Sequence, residues 1–190
     1  MILGNHIAYQ KHAPWNEYFN SRGMDASRAE FDFAHLLHSK LKNKHSKIET
    51  TIVDMRNWEA TFYYEDMYQE LKKFKDREYD LVVVRLGENI GQFSFNDHVY
   101  KDSLVTLCNF FKSVKTQVII TGTIENKPNI EEHQKLAAEA LNCPFVNLDK
   151  IKNDYSLIST NKYHNNLYKQ CPNDKGMEFI ANSIFEKIKD

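Results

Sequence analysis

The sequence predicts an α/β fold, a three-layer α/β/α sandwich built on a flavodoxin-like parallel sheet of about five strands. Two observations lead to this prediction. Short apolar strand patterns alternate with helical patterns along the chain, which is typical of repeated βαβ units. Leu81–Val84 is a continuous apolar run rich in valine, as expected for a central parallel strand that helices cover on both faces.

The predicted strands are short and evenly spread along the chain. They are Ile2–Gly4, residues 48–53, Leu81–Val84, Val118–Ile120 and Phe145–Leu148. The carboxyl ends of parallel strands meet at one edge of the sheet, where ligand sites lie near a switch in strand order. We therefore expect the segments 4–6, 87–89 and 121–123 to converge on one rim, which the start of the last helix could join.

Helical spacing of apolar residues predicts the helices between the strands. Ser27-Arg28-Ala29-Glu30 has the form of a capping box, so we expect the first helix to begin there. Segments 64–76 and 130–141 are weaker helix predictions, and segment 150–170 is predicted as a rim loop or lid. The three strongest apolar stripes are Phe33, Ala34, Leu37 and Leu41, then Leu104, Leu107, Cys108, Phe111 and Val114, then Met177, Ile180, Ala181, Ile184 and Ile188.

Length and composition limit the classes of protein to consider. The 190 residues correspond to one domain, residues 1–190. A net charge of −1 argues against a nucleic-acid footprint, and no apolar run reaches the ~20 residues of a membrane span. The cysteines, Cys108, Cys143 and Cys171, are odd in number and form no CxxC pair, which favours a reducing compartment and hence a cytoplasmic location. Composition does not predict the oligomeric state.

Four short segments stand at predicted strand ends and helix starts. They are Leu3-Gly4-Asn5-His6, Arg22-Gly23-Met24-Asp25-Ala26-Ser27, Arg85-Leu86-Gly87-Glu88-Asn89 and Cys171-Pro172-Asn173-Asp174-Lys175-Gly176-Met177. In this order the segments resemble the conserved blocks of the SGNH (GDSL-type) esterase family, and the resemblance covers most of the chain. It implies an α/β/α fold and an ancestry among enzymes that remove or transfer acyl groups on carbohydrates and small esters.

The resemblance also implies roles for single positions. The family serine falls at His6, the family histidine at Cys171, and the aspartate that many members carry three residues earlier falls at Tyr168. The oxyanion donors would be the backbone N–H of Gly23 and the side-chain amide of Asn89. Acyl transfer in this family needs a serine, an imidazole and an orienting carboxylate, and none stands at its expected position. We therefore expect a catalytically impaired protein.

Our primary hypothesis is a domain with a degenerate triad that keeps a cleft for an acylated or carbohydrate ligand, without a cofactor or a metal. Asn5, Asp25, Glu88 and Asp174 are predicted to lie at the rim of this cleft. A second hypothesis is a purely structural or interaction module whose cleft is filled by the substituted side chains. An open pocket at His6 would favour ligand binding or chemistry, and a filled pocket would favour the module.

A third hypothesis is an active acyl-ester hydrolase or acyltransferase that uses a Cys171–His6 dyad. An imidazolium lowers the pKa of a neighbouring thiol, so Cys171 is predicted to be the most reactive cysteine. The donors of Gly23 and Asn89 would still point at the serine position, which argues against this chemistry. A zinc site formed by His6 and Cys171 with Asp174 or His164 has no supporting spacing motif, and no metal is predicted.

Overall fold

The structure, a computed structural model, describes residues 1–11, 21–63, 67–91, 97–159 and 171–189. Five strands form one sheet: β1 Ile2–Gly4, β2 Ile52–Asp54, β3 Leu81–Arg85, β4 Gln117–Thr121 and β5 Phe145–Val146. Their order is β2-β1-β3-β4-β5, and every neighbouring pair is parallel. The predicted parallel sheet of about five strands is therefore confirmed.

The helices of the described residues cover both faces of this sheet. They are α1 Phe33–Lys44, α2 Arg56–Thr61, α3 Met67–Lys75, α4 Asp97–Phe111, α5 Pro128–Ala140, α6 Asp149–Asn153 and α7 Asp174–Phe185. Short 3₁₀ turns lie at Ala29–Phe31 and Tyr155–Leu157. No helix of these described residues is long and apolar enough to cross a membrane.

Side chains of each strand alternate between two apolar cores, as the period of a strand requires. On one face, Val82 and Val84 of β3 pack with residues of α2, α3, α4 and α5. On the other face, Val83 packs with residues of α1, α6 and α7. The three-layer arrangement follows from this burial on both faces.

The strand order switches between β1 and β3. From β1 the chain runs outward to the edge strand β2, and it then crosses back to β3 on the other side of β1. Gly4 and Arg85 are register partners at the carboxyl ends of these two strands. The loops that follow them leave the sheet side by side, which is where a parallel α/β sheet places a ligand site.

The predicted capping box at Ser27 is wrong. A 3₁₀ turn follows Arg28, and α1 begins only at Phe33, where the Oδ1 atom of Asp32 accepts a hydrogen bond from the His35 N–H at 2.9 Å. Asp32 is thus the N-cap of α1. Ser27 instead donates from its N–H and its Oγ to the carboxylate of Asp174, at 2.7 and 2.6 Å.

Several other predicted boundaries differ from the structure. Val114 lies beyond the end of α4 and is fully exposed, and Ile188 lies beyond the end of α7. The short helix α2 was not predicted, because its apolar residues form no repeating stripe. Segment 150–170 is not a continuous loop, since its described part includes residues of α6 and a 3₁₀ turn. Residues 160–170 lie outside the described part.

Candidate functional site

The turn after β1 holds the first predicted site residues. The Oδ1 atom of Asn5 accepts the N–H of Ile7 at 3.1 Å, and its backbone oxygen accepts the N–H of Ala8 at 3.0 Å. The backbone oxygen of His6 accepts the N–H of Met24 at 3.0 Å. The turn is therefore fixed internally and is tied to the segment that contains Gly23.

A buried hydrogen-bonded cluster lies where β1, β3 and α2 meet. The Nδ2 atom of Asn5 donates to Oε1 of Glu59 at 3.1 Å and to Oε2 of Glu88 at 2.8 Å. One amide thus bridges two carboxylates that come from different parts of the chain. Below, the carboxylate network means the residues Asn5, Glu59, Arg85, Glu88 and Asn89, together with the N–H of Gly87.

Glu59 of α2 accepts hydrogen bonds from the loop after β3. Its Oε1 atom accepts the N–H of Gly87 at 2.5 Å, and its Oε2 atom accepts Nδ2 of Asn89 at 2.6 Å. Gly87 has φ of 124°, and a Cβ there would lie 2.6 Å from the Cγ2 atom of Thr123. The position therefore needs glycine for both its conformation and its close packing.

Glu88 is held by Arg85, the last residue of β3. The Nη1 atom of Arg85 lies 2.7 Å from both carboxylate oxygens of Glu88, and both side chains are fully buried. Oε1 of Glu88 also accepts the N–H of Ile124 in the loop after β4, at 3.0 Å. Among the described residues, Nε and Nη2 of Arg85 have no hydrogen-bond partner. The ion pair with Glu88 is thus the main compensation for a buried guanidinium.

The two carboxylates differ in their pKa values although Asn5 joins them. Burial raises the pKa of Glu59 to about 7, with a further increase from the charge of Glu88, although three hydrogen bonds oppose the rise. Burial also acts to raise the pKa of Glu88. The charge of Arg85 and the hydrogen bonds donated to Glu88 outweigh burial, so the pKa of Glu88 is lowered to about 2. Near neutral pH, Glu88 is therefore ionised while Glu59 titrates.

Residues before and within α5 fix the loop after β3 from the other side. The Nζ atom of Lys127 donates to the backbone oxygens of Glu88 and Ile90, the second at 3.1 Å. The Nε2 atom of Gln134 donates to the backbone oxygen of Leu86 at 2.7 Å. Each residue from Leu86 to Ile90 thus takes part in a hydrogen bond that orders this loop.

His6, which the sequence resemblance places at the family serine, is buried at 6% exposure. Burial lowers its pKa to about 4, and the charges of Arg85 and Arg56 add to this effect, although Glu88 and Asp54 oppose it. The imidazole is therefore neutral near pH 7. A neutral imidazole cannot supply the positive charge that would stabilise a thiolate.

Cys171, which the sequence resemblance places at the family histidine, is 2% exposed and belongs to the apolar core that also includes Met24, Ala26 and Met177. Burial raises the pKa of its thiol well above the ordinary value, and the charges of Asp25, Glu125 and Glu88 raise it further. The prediction of an accessible, activated thiol at the rim is therefore wrong. A buried thiol among carboxylates is stabilised in its neutral form.

The two predicted oxyanion donors have different surroundings. The N–H of Gly23 donates to Oδ2 of Asp32, the N-cap of α1, at 3.1 Å. A Cβ at Gly23 would lie 2.7 Å from the backbone oxygen of Ile7, so this segment packs closely on the turn after β1. Asn89 is instead exposed, with its amide bonded to Glu59. The Asn89 side chain can therefore reach a ligand, whereas the Gly23 N–H already has an acceptor.

The four predicted rim residues do not share one environment. Asn5, Asp25 and Glu88 are buried, with 1%, 3% and 5% exposure, so they lie beneath the surface of the protein. Asp25 has φ of 69°, in the left-handed region. Asp174 is partly exposed at the start of α7, where it is bonded to Ser27. Glu88 and Asp174 therefore join separate segments of the chain through hydrogen bonds.

The described residues include no group of three or more His, Cys, Asp and Glu side chains that could hold a metal ion. Asp174, one of the two further ligands considered, uses both its oxygens on Ser27. His164, the other ligand considered, and Tyr168, at the aspartate position, lie outside the described residues.

Sequence reasoning missed two residues that organise the site. Glu59 was not singled out, because a glutamate is rarely buried and no helix was predicted around it. Arg85 was part of a recognised segment but received no role. The signal that could have found it is an arginine at the end of a buried strand with a glutamate three residues later, since a buried charge requires a partner.

Two cavities lined by described residues lie away from the carboxylate network. A groove of about 710 Å³ lies at the amino ends of the strands, with His38, Arg77 and Gln117 among its lining residues. A more open depression of about 590 Å³ lies beside α5 and β5, next to Cys143. Neither cavity includes a predicted site residue.

Solved structures of esterases share this fold along nearly the whole chain. A psychrotrophic esterase from Pseudoalteromonas sp., inhibited by monoethylphosphonate, has a TM-score of 0.60 and 15% identity, over 98% of this chain and 93% of that one. A lipolytic protein of the G-D-S-L family from Desulfitobacterium hafniense has a TM-score of 0.59 and 10% identity, over 98% and 97%. A catalytic mutant of an acetylxylan esterase from Geobacillus stearothermophilus has a TM-score of 0.57 and 14% identity, over 98% and 91%.

No family model and no curated protein matches the sequence. At such low identities the likeness to solved structures concerns the fold, and one fold serves many functions. The order of elements, the parallel sheet and the extent of the match agree with the family that the four sequence segments resemble. The fold of this chain is that of the SGNH, or GDSL-type, esterases.

Proposed function

We propose that this chain is a non-hydrolytic SGNH-like domain that binds an acylated or carbohydrate ligand at its cleft. The observation that carries the proposal is the state of the triad positions: His6 is buried and neutral, and Cys171 is buried with a raised thiol pKa. The pair supplies neither a thiolate nor an activated hydroxyl at neutral pH. The exposed amide of Asn89, anchored on Glu59, is the donor that remains for a ligand carbonyl.

The acetylxylan esterase among the similar structures supports an acetylated carbohydrate as the ligand class. An acetyl group offers a carbonyl oxygen as hydrogen-bond acceptor, and the Asn89 amide is a donor of matching polarity. Binding through such a neutral donor needs no net charge on the protein, which agrees with the formal net charge of −1.

An interaction module with a filled cleft is the second candidate. It is favoured by the burial of His6 and Cys171 and by the hydrogen bond from the Gly23 N–H to Asp32. In that case Asn89 would have only a structural role. Ligand binding separates the two candidates directly.

A binding experiment with acetylated xylo-oligosaccharides tests the proposal. We expect saturable binding by calorimetry or by NMR shift mapping centred on Asn89, weaker binding by the Asn89→Ala variant, and unchanged binding by an Asn109→Ala control at an exposed position in the last turn of α4. The chemically deacetylated oligosaccharide separates acyl recognition from glycan recognition. Absence of binding to both sugars would leave the interaction module as the better description.

A hydrolysis experiment tests the loss of chemistry. The purified protein should cleave short activated acyl esters no faster than its Cys171→Ala variant. Turnover that disappears in Cys171→Ala and His6→Ala would support the dyad, and turnover that survives both would contradict the dyad and the impaired triad.

Restoring the expected residues with His6→Ser and Cys171→His extends this test. We expect at most weak esterase activity, because one donor of an oxyanion hole is worth about 10²–10³ in rate and the Gly23 N–H is already bonded to Asp32. An added Asp32→Asn substitution weakens that bond and should raise the activity. Strong activity in the double variant alone would show that the cleft is open to substrate.

The expected domain organisation and location form part of the same proposal. A single domain over residues 1–190 is supported by the continuous sheet from β1 to β5. A reducing, cytoplasmic compartment is supported by the three cysteines, all of which are free thiols.

A further inference from the structure

The hydrogen bonds of Glu59 point to a role in setting the position of Asn89. The carboxylate accepts three N–H groups: Asn5 and Gly87 on Oε1, and Asn89 on Oε2. Two of these donors, Asn5 and Gly87, are buried, whereas Asn89 is exposed. Asn89 is therefore the donor that can turn when the carboxylate changes.

An asparagine amide carries two hydrogens on Nδ2. In Asn89 one hydrogen is directed to Oε2 of Glu59 at a distance of 2.6 Å, which is short for a bond from nitrogen to a carboxylate. The bond restricts rotation of the amide, and it leaves the second hydrogen of this exposed residue for another acceptor.

We propose that Glu59 is a positioning residue for the cleft: its carboxylate fixes the amide of Asn89 so that the second N–H faces the carbonyl oxygen of an acyl ligand. The recognition of an acyl ligand rests on the proposed function, whereas the coupling of Glu59 to Asn89 is independent of it.

Protonation of Glu59 should release Asn89. A protonated carboxyl turns one oxygen from acceptor to donor, and every hydrogen bond that Glu59 accepts comes from an N–H group. The proton is best placed on Oε2, because Asn89 can rotate and present its own Oδ1 as acceptor. Rotation moves Nδ2 away from the direction in which it faced the ligand.

The surroundings of Glu59 put this change in an accessible pH range. Burial and the charge of Glu88 raise the pKa of Glu59 to about 7. The charged or titratable groups that interact with Glu59 are Glu88, in the loop after β3, and Tyr100 on α4. Glu88 in turn interacts with four further groups: Arg85 at the end of β3, His6 after β1, and Glu125 and Lys127 before α5. Of the other acidic groups, Glu88 is held ionised to about pH 2, so it does not titrate in the same range.

Side-chain amide NMR of the full chain tests the coupling without any ligand. The two Nδ2 protons of Asn89 are assigned by their loss in Asn89→Ala and followed from about pH 5.5 to about pH 8.5, a range that spans the Glu59 pKa. At high pH we expect one of the two protons to lie downfield. As the pH falls, its signal should move upfield with a midpoint near 7. Glu59→Gln should abolish the step, and Glu125→Gln, which changes a nearby acid without contact to Asn89, should keep it.

An Asn89 signal that shows no pH step, or that keeps its step in Glu59→Gln, would overturn the proposal. If Glu59→Gln does not fold, the wild-type protein still decides, because the carboxyl ¹³C signal of Glu59 and the Asn89 proton must share one midpoint. Binding of acetylated xylo-oligosaccharide at the same pH values separates the two ideas. A coupled Asn89 signal without binding rejects the ligand, and pH-independent binding with an uncoupled Asn89 rejects the role of Glu59.

Discussion

The carboxylate network and the surroundings of Cys171 lie at the same end of the sheet but are built in opposite ways. In the network, buried charges are paired and bonded, with Arg85 on Glu88 and three N–H groups on Glu59. Cys171 is packed in an apolar core, and burial together with the charges of Asp25, Glu125 and Glu88 stabilises its thiol in the neutral form.

The difference teaches how the two regions keep their structure. A polar network keeps loop positions fixed, since each buried group requires its partner. An apolar cluster excludes water and leaves no place for an ion pair such as imidazolium and thiolate. The side of Asn89 therefore keeps an exposed polar group, whereas Cys171 is packed in the core.

Thiol labelling gives the largest expected effect and tests the apolar side. Cys171 and Cys108 are buried with raised thiol pKa values, whereas Cys143 is only partly buried and burial raises its pKa to about 11. We expect iodoacetamide to label Cys143 first and Cys171 more than about 1,000-fold more slowly than in the unfolded chain, because labelling requires opening. Peptide mass spectrometry reads each site, with Cys143→Ser as the control. Rapid native labelling of Cys171 would show that the cluster is open.

The Glu88→Ala substitution tests the polar side. Removal of the Glu88 carboxylate leaves the buried guanidinium of Arg85 without its ion-pair partner. We therefore expect the free energy of unfolding to fall by about 3–5 kcal/mol. Urea denaturation measures it. The matched control is Glu30→Ala, which removes an exposed pair with Arg28 and should cost less than about 1 kcal/mol. Equal losses in the two variants would mean that the network is not a buried structure.

The pH dependence of stability tests the buried imidazole. The folded pKa of His6, about 4, lies below the ordinary 6.5, so its contribution is present above pH 6.5 and is lost as pH falls towards 4. Relative to His6→Asn, the parent should lose about 3 kcal/mol over this interval, at 1.36 kcal/mol per pKa unit. Denaturation at a series of pH values measures the difference. A difference that does not change with pH would show an imidazole open to solvent.

Glu59 changes stability with the opposite sign. Its folded pKa of about 7 lies above the ordinary 4.5, so its contribution is present below pH 4.5 and is lost as pH rises to 7. The parent should therefore become less stable relative to Glu59→Gln over this interval. Between pH 4.5 and 6.5 the effects of His6 and Glu59 oppose each other. Only the single variants His6→Asn and Glu59→Gln therefore reveal the two effects. If both variants show the same pH dependence of stability, the two pKa shifts are wrongly assigned.

The smallest expected effect concerns the contact between the start of α7 and the segment before α1. Asp174→Ala removes two hydrogen bonds to Ser27 and a negative charge at the N-terminus of α7, so we expect a loss of about 1–2 kcal/mol. Ser27→Ala removes only the hydroxyl bond and should cost about half as much. Thermal denaturation measures both. If Ser27→Ala costs as much as Asp174→Ala, the backbone bond contributes nothing.

The sequence by itself determined the fold class. Continuous apolar strands such as Leu81–Val84 and apolar stripes at helical spacing are local patterns, and their alternation leaves few arrangements other than a covered parallel sheet. Segment order also located the end of the sheet where the site residues lie, because Gly4 and Arg85 fall at neighbouring strand ends.

Only the tertiary structure decided how those residues are used. Ser27 reads as a helix cap, yet Asp174, 147 residues later, takes both of its donors. Cys171 reads as a rim residue and is packed in an apolar core, and Glu59 reads as a surface glutamate and holds Asn89. Burial, pKa and partner choice depend on residues far apart in the chain, and no local pattern records which of them meet.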